Sequence, residues 1–521
     1  MVKLSIDNRE VEVDERATVL DAANKLGIEI PTMCFLEGYE PATSCMLCVV
    51  KVEGRDGLVA SCGLPAEEGM RVKTSTPEIV EARKAALELL LSDHVGDCMG
   101  PCQVACPAKM DIPLMIRQIA AGQLADAIAT VKRDIALPAV LGRICPAPCE
   151  NVCRRREYDE AVSICLLKRY VADVDLQSAQ PYMPVCKAKR NKSVAIIGAG
   201  PAGLSAAYYL LQAGFDCTIF DDHDRPGGML RYGVSRTELP EDVLDAEIEL
   251  ITKFGLKFEG GRRIKTETEI EQLRGDFDAV FIAVGRLEKA DAERMGFEAA
   301  PRGIAIERKT YQTNIDGVFA GGDAVRRRKM AVRAVADGKE AAASITQYLT
   351  GKPVTGPVKP FNSRMGKLLE GEMEKLMAAV SKTTRQSPSV RALGFSGEQA
   401  RKEAARCMHC DCRKADTCKL RLYSQEYDAK ANRYKSQRRE FVQQLDHPQV
   451  IYEPGKCIKC GLCVQIAAEQ KEKLGLTFIG RGFDVRVAVP FNRLLSEGLS
   501  SAAVRCAAAC PTGALALKGG G

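Results

Sequence analysis

The sequence predicts a multidomain chain of mixed α/β and α+β class, and three observations predict it. The chain has 521 residues, which allows three or four domains at roughly 150 residues each. From Val194 to about Leu349 strand patterns alternate with helix patterns, the βαβ signature. The chain has 22 cysteines, and on both sides of that stretch most of them fall into groups at short intervals.

Taken in order, residues 1–75 read as a small sheet domain with a hairpin about Asp7 and Asn8 and a helix in ATVLDAANKLGIEIP. Residues 76–190 have a mainly helical period, with cysteine loops at either end. Residues 191–350 form the α/β stretch. GKPVTGPVKP then opens a Pro/Gly and polar linker over 351–400, and 401–521 is a second cysteine-rich domain.

Composition narrows the function. Apolar and charged fractions of 46% and 27% are those of a globular protein, and no window approaches the ~20 apolar residues of a membrane helix. A net charge of +6 on so long a chain does not argue for nucleic acid. The start, MVKLSIDNREVEVDE, alternates apolar and polar residues and lacks the basic and apolar regions of a secretion signal, so a cytoplasmic protein is expected. Cysteines grouped at short spacing are there metal ligands and not disulfides. The runs Arg154–Arg156 and Arg326–Lys329 read as solvated faces, with a docking patch for an acidic electron carrier as the second reading.

Cys34, Cys45, Cys48 and Cys62 give C-x10-C-x2-C-x13-C. A close C-x2-C pair with two converging thiols suits a [2Fe-2S] cluster; structural zinc is the alternative. The wide first interval after a hairpin and helix resembles the N-terminal domain of the large iron–sulfur subunit of respiratory NADH dehydrogenase and of iron-only hydrogenases, which implies a β-grasp [2Fe-2S] domain.

LSDHVGDCMGPCQVACP holds His94, Cys98, Cys102 and Cys106; CPAPCENVC holds Cys145, Cys149 and Cys153; Cys165 follows. Seven cysteines and one histidine make eight ligands, enough for two [4Fe-4S] clusters. The order resembles the helical domain of the glutamate synthase small subunit and of dihydropyrimidine dehydrogenase. That resemblance implies one cluster on Cys98, Cys102 and Cys153 and another on Cys106, Cys145 and Cys149. The family has a further early cysteine where this chain offers His94, and its second cluster ends on a non-cysteine residue near Lys168. His94 and Cys165 are accordingly the expected completing ligands, and the H-x3-C spacing of His94 resembles a histidine-ligated cluster of the NADH dehydrogenase subunit.

The C-terminal domain opens with Cys407, Cys410, Cys412 and Cys418, close enough to close around one centre, either iron–sulfur or zinc. Cys457, Cys460 and Cys463 are answered by Cys510 before a proline, the ferredoxin arrangement. Ala467 stands where a two-cluster ferredoxin has its next cysteine, so Cys506 lacks cluster partners and, like Cys186 and Cys217, reads as an ordinary residue. The sum is one [2Fe-2S] and about four [4Fe-4S] clusters.

VAIIGAGPAGLSAA sets Gly198, Gly200 and Gly203 between a strand and a helix, with Asp221 and Asp222 ending the next strand. The glycines permit close approach of a pyrophosphate to the helix N-terminus, and the acid can hold a ribose hydroxyl. Ala199, Pro201 and Ala202 complete that turn. RPGGMLRYGV and TNIDGVFAGGDAV resemble the flavin-contacting segments of the glutamate synthase small subunit family, which implies FAD in a Rossmann-like domain, with Gly228, Met229, Gly322, Asp323 and Ala331 in the site; an NAD site is the alternative. In that family an NADPH domain interrupts the FAD domain between a strand ending at A-x-G and the GGD segment. Here only residues 286–312 separate Gly285 from Thr313, whereas one βαβ unit takes about 30 residues or more. No NAD(P)H site is expected in this chain.

A flavin exchanges two electrons and each cluster one, so the expected role is an electron-transfer subunit with no catalytic residue of its own. The resemblances imply as partners an NADH-binding FMN and iron–sulfur subunit, ferredoxin, and a catalytic subunit such as a hydrogenase, formate dehydrogenase or aldehyde oxidoreductase. Electron bifurcation is the extension of this reading. Its rivals are a self-sufficient NAD(P)H-dependent oxidoreductase and a zinc-stapled assembly protein.

Overall fold

A computed structural model describes residues 1–518 apart from 328, 389 and 391. The chain forms two compact units, the first from residues 1–100, 360–379 and 410–521, the second from 101–359 and 380–409. In covalent order the second is an insertion into the first, and the stretch 351–400, expected as a linker, contributes to both.

The first unit begins with the hairpin Val2–Ile6 and Arg9–Val13. Asp7 and Asn8 both take positive φ, 48° and 66°, as the favoured two-residue hairpin turn demands of its Asp and Asn. Five strands lie in the order Arg9–Val13, Val2–Ile6, Arg71–Lys73, Val49–Val52, Val59–Ala60, with Val2–Ile6 parallel to Arg71–Lys73. The helix Val19–Lys25 is set by a Thr18–Asp21 capping box and lays Val19, Leu20 and Ala23 into one core with Leu4, Ile6, Val50 and Val72. The longer helix Pro77–Ser92 starts at an N-cap Thr76 and a first-turn proline. Its buried Arg83 donates to the Val49 and Thr74 carbonyls and ties it to the sheet.

The C-terminal part of this unit packs the helices Leu462–Glu469 and Ala503–Ala509 against two small antiparallel pairs, Val450–Tyr452 with Leu515–Leu517 and Thr477–Ile479 with Arg486–Ala488. Cys506 is fully buried in that core.

Segment 360–379 is held by Glu372. Its fully buried carboxylate accepts two bonds from Arg438, at 2.5 and 2.6 Å, and others from the Phe441 and Leu369 amides. Burial works against the charge, but these donors outweigh it and hold the carboxyl at about 2. A carboxyl depressed in the fold stabilises above its ordinary value near 4.5 and loses that contribution as pH falls toward 2. Glu372→Gln should therefore cost about 3 kcal/mol at pH 7, the lower range for breaking a buried pair. The difference in melting temperature from wild type should narrow below about pH 4.5, which melting curves across pH would check.

The second unit joins the helices Ile112–Ala120, Leu124–Asp134, Pro138–Ile144 and Ile164–Leu176 to an all-parallel sheet. Its strand order is Val318–Ala320, Ala279–Ile282, Ser193–Ile197, Asp216–Phe220, Lys257–Glu259. The three strands Ser193–Ile197, Ala279–Ile282 and Val318–Ala320 are nearly uniformly apolar because helices cover the faces, whereas the edge strand Lys257–Glu259 is charged and largely exposed. Residues 286–312 form a six-residue helix, Lys289–Arg294, and the small pair Ala299–Ala300 and Gly303–Ile304.

One expectation changes here. Arg155, from the run read as a solvated face, is fully buried. It forks onto Asp159 at 2.8 Å and donates to the carbonyls of Ser381 and Arg406. Arg406, also fully buried, pairs with Glu403 at 2.9 Å and Asp159 at 3.1 Å. Within the run Arg326–Lys329, Arg328 lies outside the described residues. Among the described residues no helix is long and apolar enough to cross a membrane.

Candidate metal centres and nucleotide cradle

In the first unit Cys34, Cys45, Cys48 and Cys62 are all buried, with Sγ–Sγ distances of 3.4 Å for Cys34–Cys45 and 3.3 Å for Cys48–Cys62. Crowding makes the sulfurs share protons. Hydrogen bonds from Cys45 and Cys62 bring Cys34 down to about 2, and the same contacts push Cys45 and Cys62 up. The bond with Cys62 brings Cys48 down to about 7. Four such thiols suit a cationic centre, since the thiolate is the metal-binding form.

Cys98 meets different partners from those its place in the sequence suggests. The Cys412 amide donates to the Cys98 carbonyl at 3.2 Å, the Ser363 amide donates to Cys98 Sγ at 3.4 Å, and Cys412 and Cys98 both bear electrostatically on Cys418. A Cβ on Gly513 would lie 2.2 Å from Cys412 Sγ, so only glycine leaves that sulfur its place. Beside them Lys456, paired with Glu453 at 2.5 Å, is nearly inaccessible. Burial works against its charge, and Cys412 and Glu453 outweigh this and raise its affinity for the proton. Burial and then Lys456 bring His94 down to about 4, which leaves a neutral imidazole at pH 7, and its Nδ1 has no hydrogen-bond partner among the described residues. A neutral imidazole with a bare buried nitrogen is a competent metal ligand.

Cys457, Cys460, Cys463 and Cys510 line one cavity, closed by Tyr452, Val487 and Leu515. The Lys459 and Leu515 amides donate to Cys457 and Cys510 Sγ at 3.3 and 3.5 Å. Burial pushes Cys457 up to about 11 and Cys460 up to about 12. Cys506 directs its thiol to the Cys463 carbonyl at 3.6 Å and packs as a core residue.

In the second unit Cys165 hydrogen-bonds with Cys145 and Cys149. The first contact lowers its proton affinity and the second, with burial, raises it to a net value of about 12. Lys168, nearly inaccessible, has burial working against its charge, yet Cys165, Cys145, Cys106 and Cys149 together raise it. The four thiols thus all bear on one buried cation. The loop is braced by Glu150, which accepts from the Cys165 amide at 2.9 Å and from Arg385 at 2.6 Å. Glu247 accepts from the Ala139 and Val140 amides at 2.7 and 2.8 Å, at the start of the helix whose C-cap is Cys145. Cys102, Cys153 and Cys407 border the same apolar core of this unit. Cys186 is exposed and Cys217 is buried in a strand.

The glycine fingerprint occupies the end of Ser193–Ile197 and the start of the helix Pro201–Gln212. Gly198 has φ 106°, and a Cβ there would lie 2.4 Å from the Ala283 carbonyl oxygen; one on Gly203 would lie 1.9 Å from that of Gly198. A Cβ on Gly228 would lie 2.8 Å from Gly200 Cα, and one on Gly322 would lie 3.0 Å from Ala202 Cβ. Three separate segments therefore meet at one helix N-terminus, with open space over Gly200. Asp221 accepts from the Ala199 amide at 2.6 Å and the His223 amide at 2.9 Å. Asp222 pairs with His223 at 2.8 Å. Met229 starts a short helix and is largely exposed, Asp323 follows Gly322, and Ala331 opens the helix Ala331–Leu349.

Residues outside the fingerprint complete this cradle. Asp337 accepts from the Gly322 amide at 3.2 Å and from Tyr311 Oη at 3.0 Å, and burial raises its carboxyl to about 6. A Cβ on Gly338 would lie 2.2 Å from the Ala202 carbonyl oxygen, so the two helices cross closely. The donor set and open glycine turn fit a dinucleotide pyrophosphate. Gly203→Ala should lower retained flavin about tenfold or more, equivalent to about 1.4 kcal/mol, without reducing iron in the first unit; acid-released flavin per chain checks it.

Comparison with known proteins finds three families along residues 1–338. Residues 1–77 match the 2Fe-2S iron–sulfur cluster binding domain family. Residues 92–180 match the family of dihydropyrimidine dehydrogenase domain II, 4Fe-4S cluster, and 188–338 match the pyridine nucleotide-disulphide oxidoreductase family. Three redox modules stand in one chain. The NADPH-Fe(3+) oxidoreductase subunit beta of Geobacter sulfurreducens is 36% identical over 221 residues, 42% of this chain and 31% of that protein. The NADP(+)-dependent formate dehydrogenase subunit beta of Moorella thermoacetica is 40% identical over 206 residues, 36% of this chain and 29% of that protein. The NAD-dependent dihydropyrimidine dehydrogenase subunit PreT of Escherichia coli K12 is 37% identical over 212 residues, 39% of this chain and 51% of that protein. The chain spans between about a third and a half of these relatives.

Proposed function

We propose that this chain is an iron–sulfur flavoprotein subunit that relays electrons within a multisubunit oxidoreductase. Its partners would be an NADH-linked subunit, ferredoxin and a catalytic redox subunit. The observation that carries the reading lies in the first unit. Cys34 and Cys45, Cys418, and Cys460 belong to one apolar core with Met33, Leu47, Leu87, Leu91, Leu420 and Leu462. Ligands of three centres bordering one dry core suit electron conduction better than structural stapling.

The assigned sets are Cys34, Cys45, Cys48 and Cys62 for [2Fe-2S], and for [4Fe-4S] His94 with Cys98, Cys412 and Cys418; Cys457, Cys460, Cys463 and Cys510; and Cys106, Cys145, Cys149 and Cys165. FAD, held by the Gly198–Gly203 turn, Gly228, Gly322 and Asp323, would supply the exchange between electron pairs and single electrons. The chain's own residues exclude water from the thiols, donate amide hydrogen bonds to sulfur and place Lys168 and Lys456 as buried positive charges beside them. Residues 286–312 are too few for a second nucleotide domain. Anaerobic purification with iron, sulfide and flavin analysis tests the reading. FAD with iron for one [2Fe-2S] and at least three [4Fe-4S] clusters supports it; a colourless zinc protein overturns it.

A further inference from the structure

The cysteines of the second unit leave three thiols that the sets above do not include; the family resemblance groups two of them, Cys102 and Cys153, and leaves Cys407 without a place. Cys106, Cys145, Cys149 and Cys165 all act electrostatically on Lys168, Cys186 is exposed and Cys217 lies in a strand. Cys102, Cys153 and Cys407 remain, and all three border one core.

The backbone prepares Cys407 as a ligand. Two residues beyond it His409 has φ 48°, and its amide donates to Cys407 Sγ at 3.4 Å. The ferredoxin-type loop has the same turn, where Lys459 has φ 58° and donates to Cys457 Sγ at 3.3 Å. Ala147, at φ 52°, likewise hydrogen-bonds to Cys145 through its backbone. A left-handed residue two places after a cysteine turns its N–H onto sulfur, and hydrogen bonds to sulfur are among the means by which proteins set cluster potentials.

The fold also brings the three segments together. Cys102 lies on the short helix Pro101–Ala105, which packs on Pro148–Asn151, just before Cys153. Arg155, two residues after Cys153, donates to the carbonyl of Arg406, the residue before Cys407, at 2.5 Å. The network of buried Arg155, Arg406 and Glu403 with the more exposed Asp159 thereby fixes Cys407 against the Cys153 loop.

We propose that Cys102, Cys153 and Cys407 ligate one iron–sulfur cluster, the third ligand being delivered by the return segment 380–409. The proposal rests on the iron–sulfur reading above and replaces the grouping of Cys407 with Cys412 and Cys418.

The test uses the anaerobically purified full chain, with iron content and the electron paramagnetic resonance spectrum after dithionite as readouts. Cys407→Ala and Cys153→Ala should abolish the same signal and the same share of iron, the double variant should lose no more than either single, and Cys418→Ala should abolish a different signal. The proposal is overturned if Cys407→Ala and Cys418→Ala remove one signal while Cys153→Ala removes another. If a variant does not accumulate, differential alkylation of wild type decides. Controlled ferricyanide oxidation should expose Cys407 together with Cys153, whereas exposure of Cys407 together with Cys418 contradicts it. Wild-type chain without iron would instead refute the iron–sulfur reading itself.

Discussion

Arg406→Met should destabilise the second unit by about 3–5 kcal/mol, the range for removing one partner of a buried ion pair. Arg406 is fully buried between Glu403 and Asp159 and also donates to the Thr383 and Glu160 carbonyls. Without it, among the described residues Glu403 keeps only the Ser163 and Gln386 amides, each at 2.7 Å, to stabilise a fully buried carboxylate. Hydrogen exchange across 380–409 should accelerate by two orders of magnitude or more, since each 1.4 kcal/mol is about tenfold. Unchanged protection in that segment would mean that the network does not hold it. The helix Pro77–Ser92, which belongs to the other unit, should keep its protection.

The second large effect is electrostatic. Lys168 is buried and feels the charge of Cys106, Cys145, Cys149 and Cys165, so its positive charge favours the more negative, reduced state of a cluster held there. Lys168→Met should lower that centre's reduction potential by ~60–120 mV, one to two decades at 59 mV per decade for one electron. Lys168→Arg should largely retain it. Redox titration followed by paramagnetic resonance reads the shift directly, and an unshifted potential in Lys168→Met would show that the lysine charge is not felt by the cluster.

Much of this architecture was legible because the signals are local. The hairpin at Asp7 and Asn8, the Gly198–Gly203 turn and the Cys457–Cys463 loop each declare themselves within a dozen residues. Partition of the remaining thiols was not legible, because Cys98 and Cys412 are separated by the entire second unit and meet only in the fold. The family resemblance groups Cys98 with Cys102 and close spacing groups Cys407 with Cys412, while in the fold the Cys412 amide donates to the Cys98 carbonyl. Arg155 was read as solvated for the same reason, since its partners Ser381 and Arg406 are distant in sequence. Asp337 and Tyr311 stand outside any glycine fingerprint. A signal for them did exist: Gly338 sits in mid-helix, where glycine costs about 1 kcal/mol and calls for a packing reason, here the approach of Ala202.

The relay account is tested most directly by adding NADH or NADPH anaerobically to the isolated, flavin- and iron-loaded chain and following its visible spectrum, with dithionite as the control. Bleaching by dithionite but by neither nucleotide is the predicted outcome, because residues 286–312 hold only a short helix and a small strand pair where a nucleotide domain would stand. Rapid bleaching by either nucleotide would contradict the account and make the chain a self-sufficient NAD(P)H-dependent oxidoreductase.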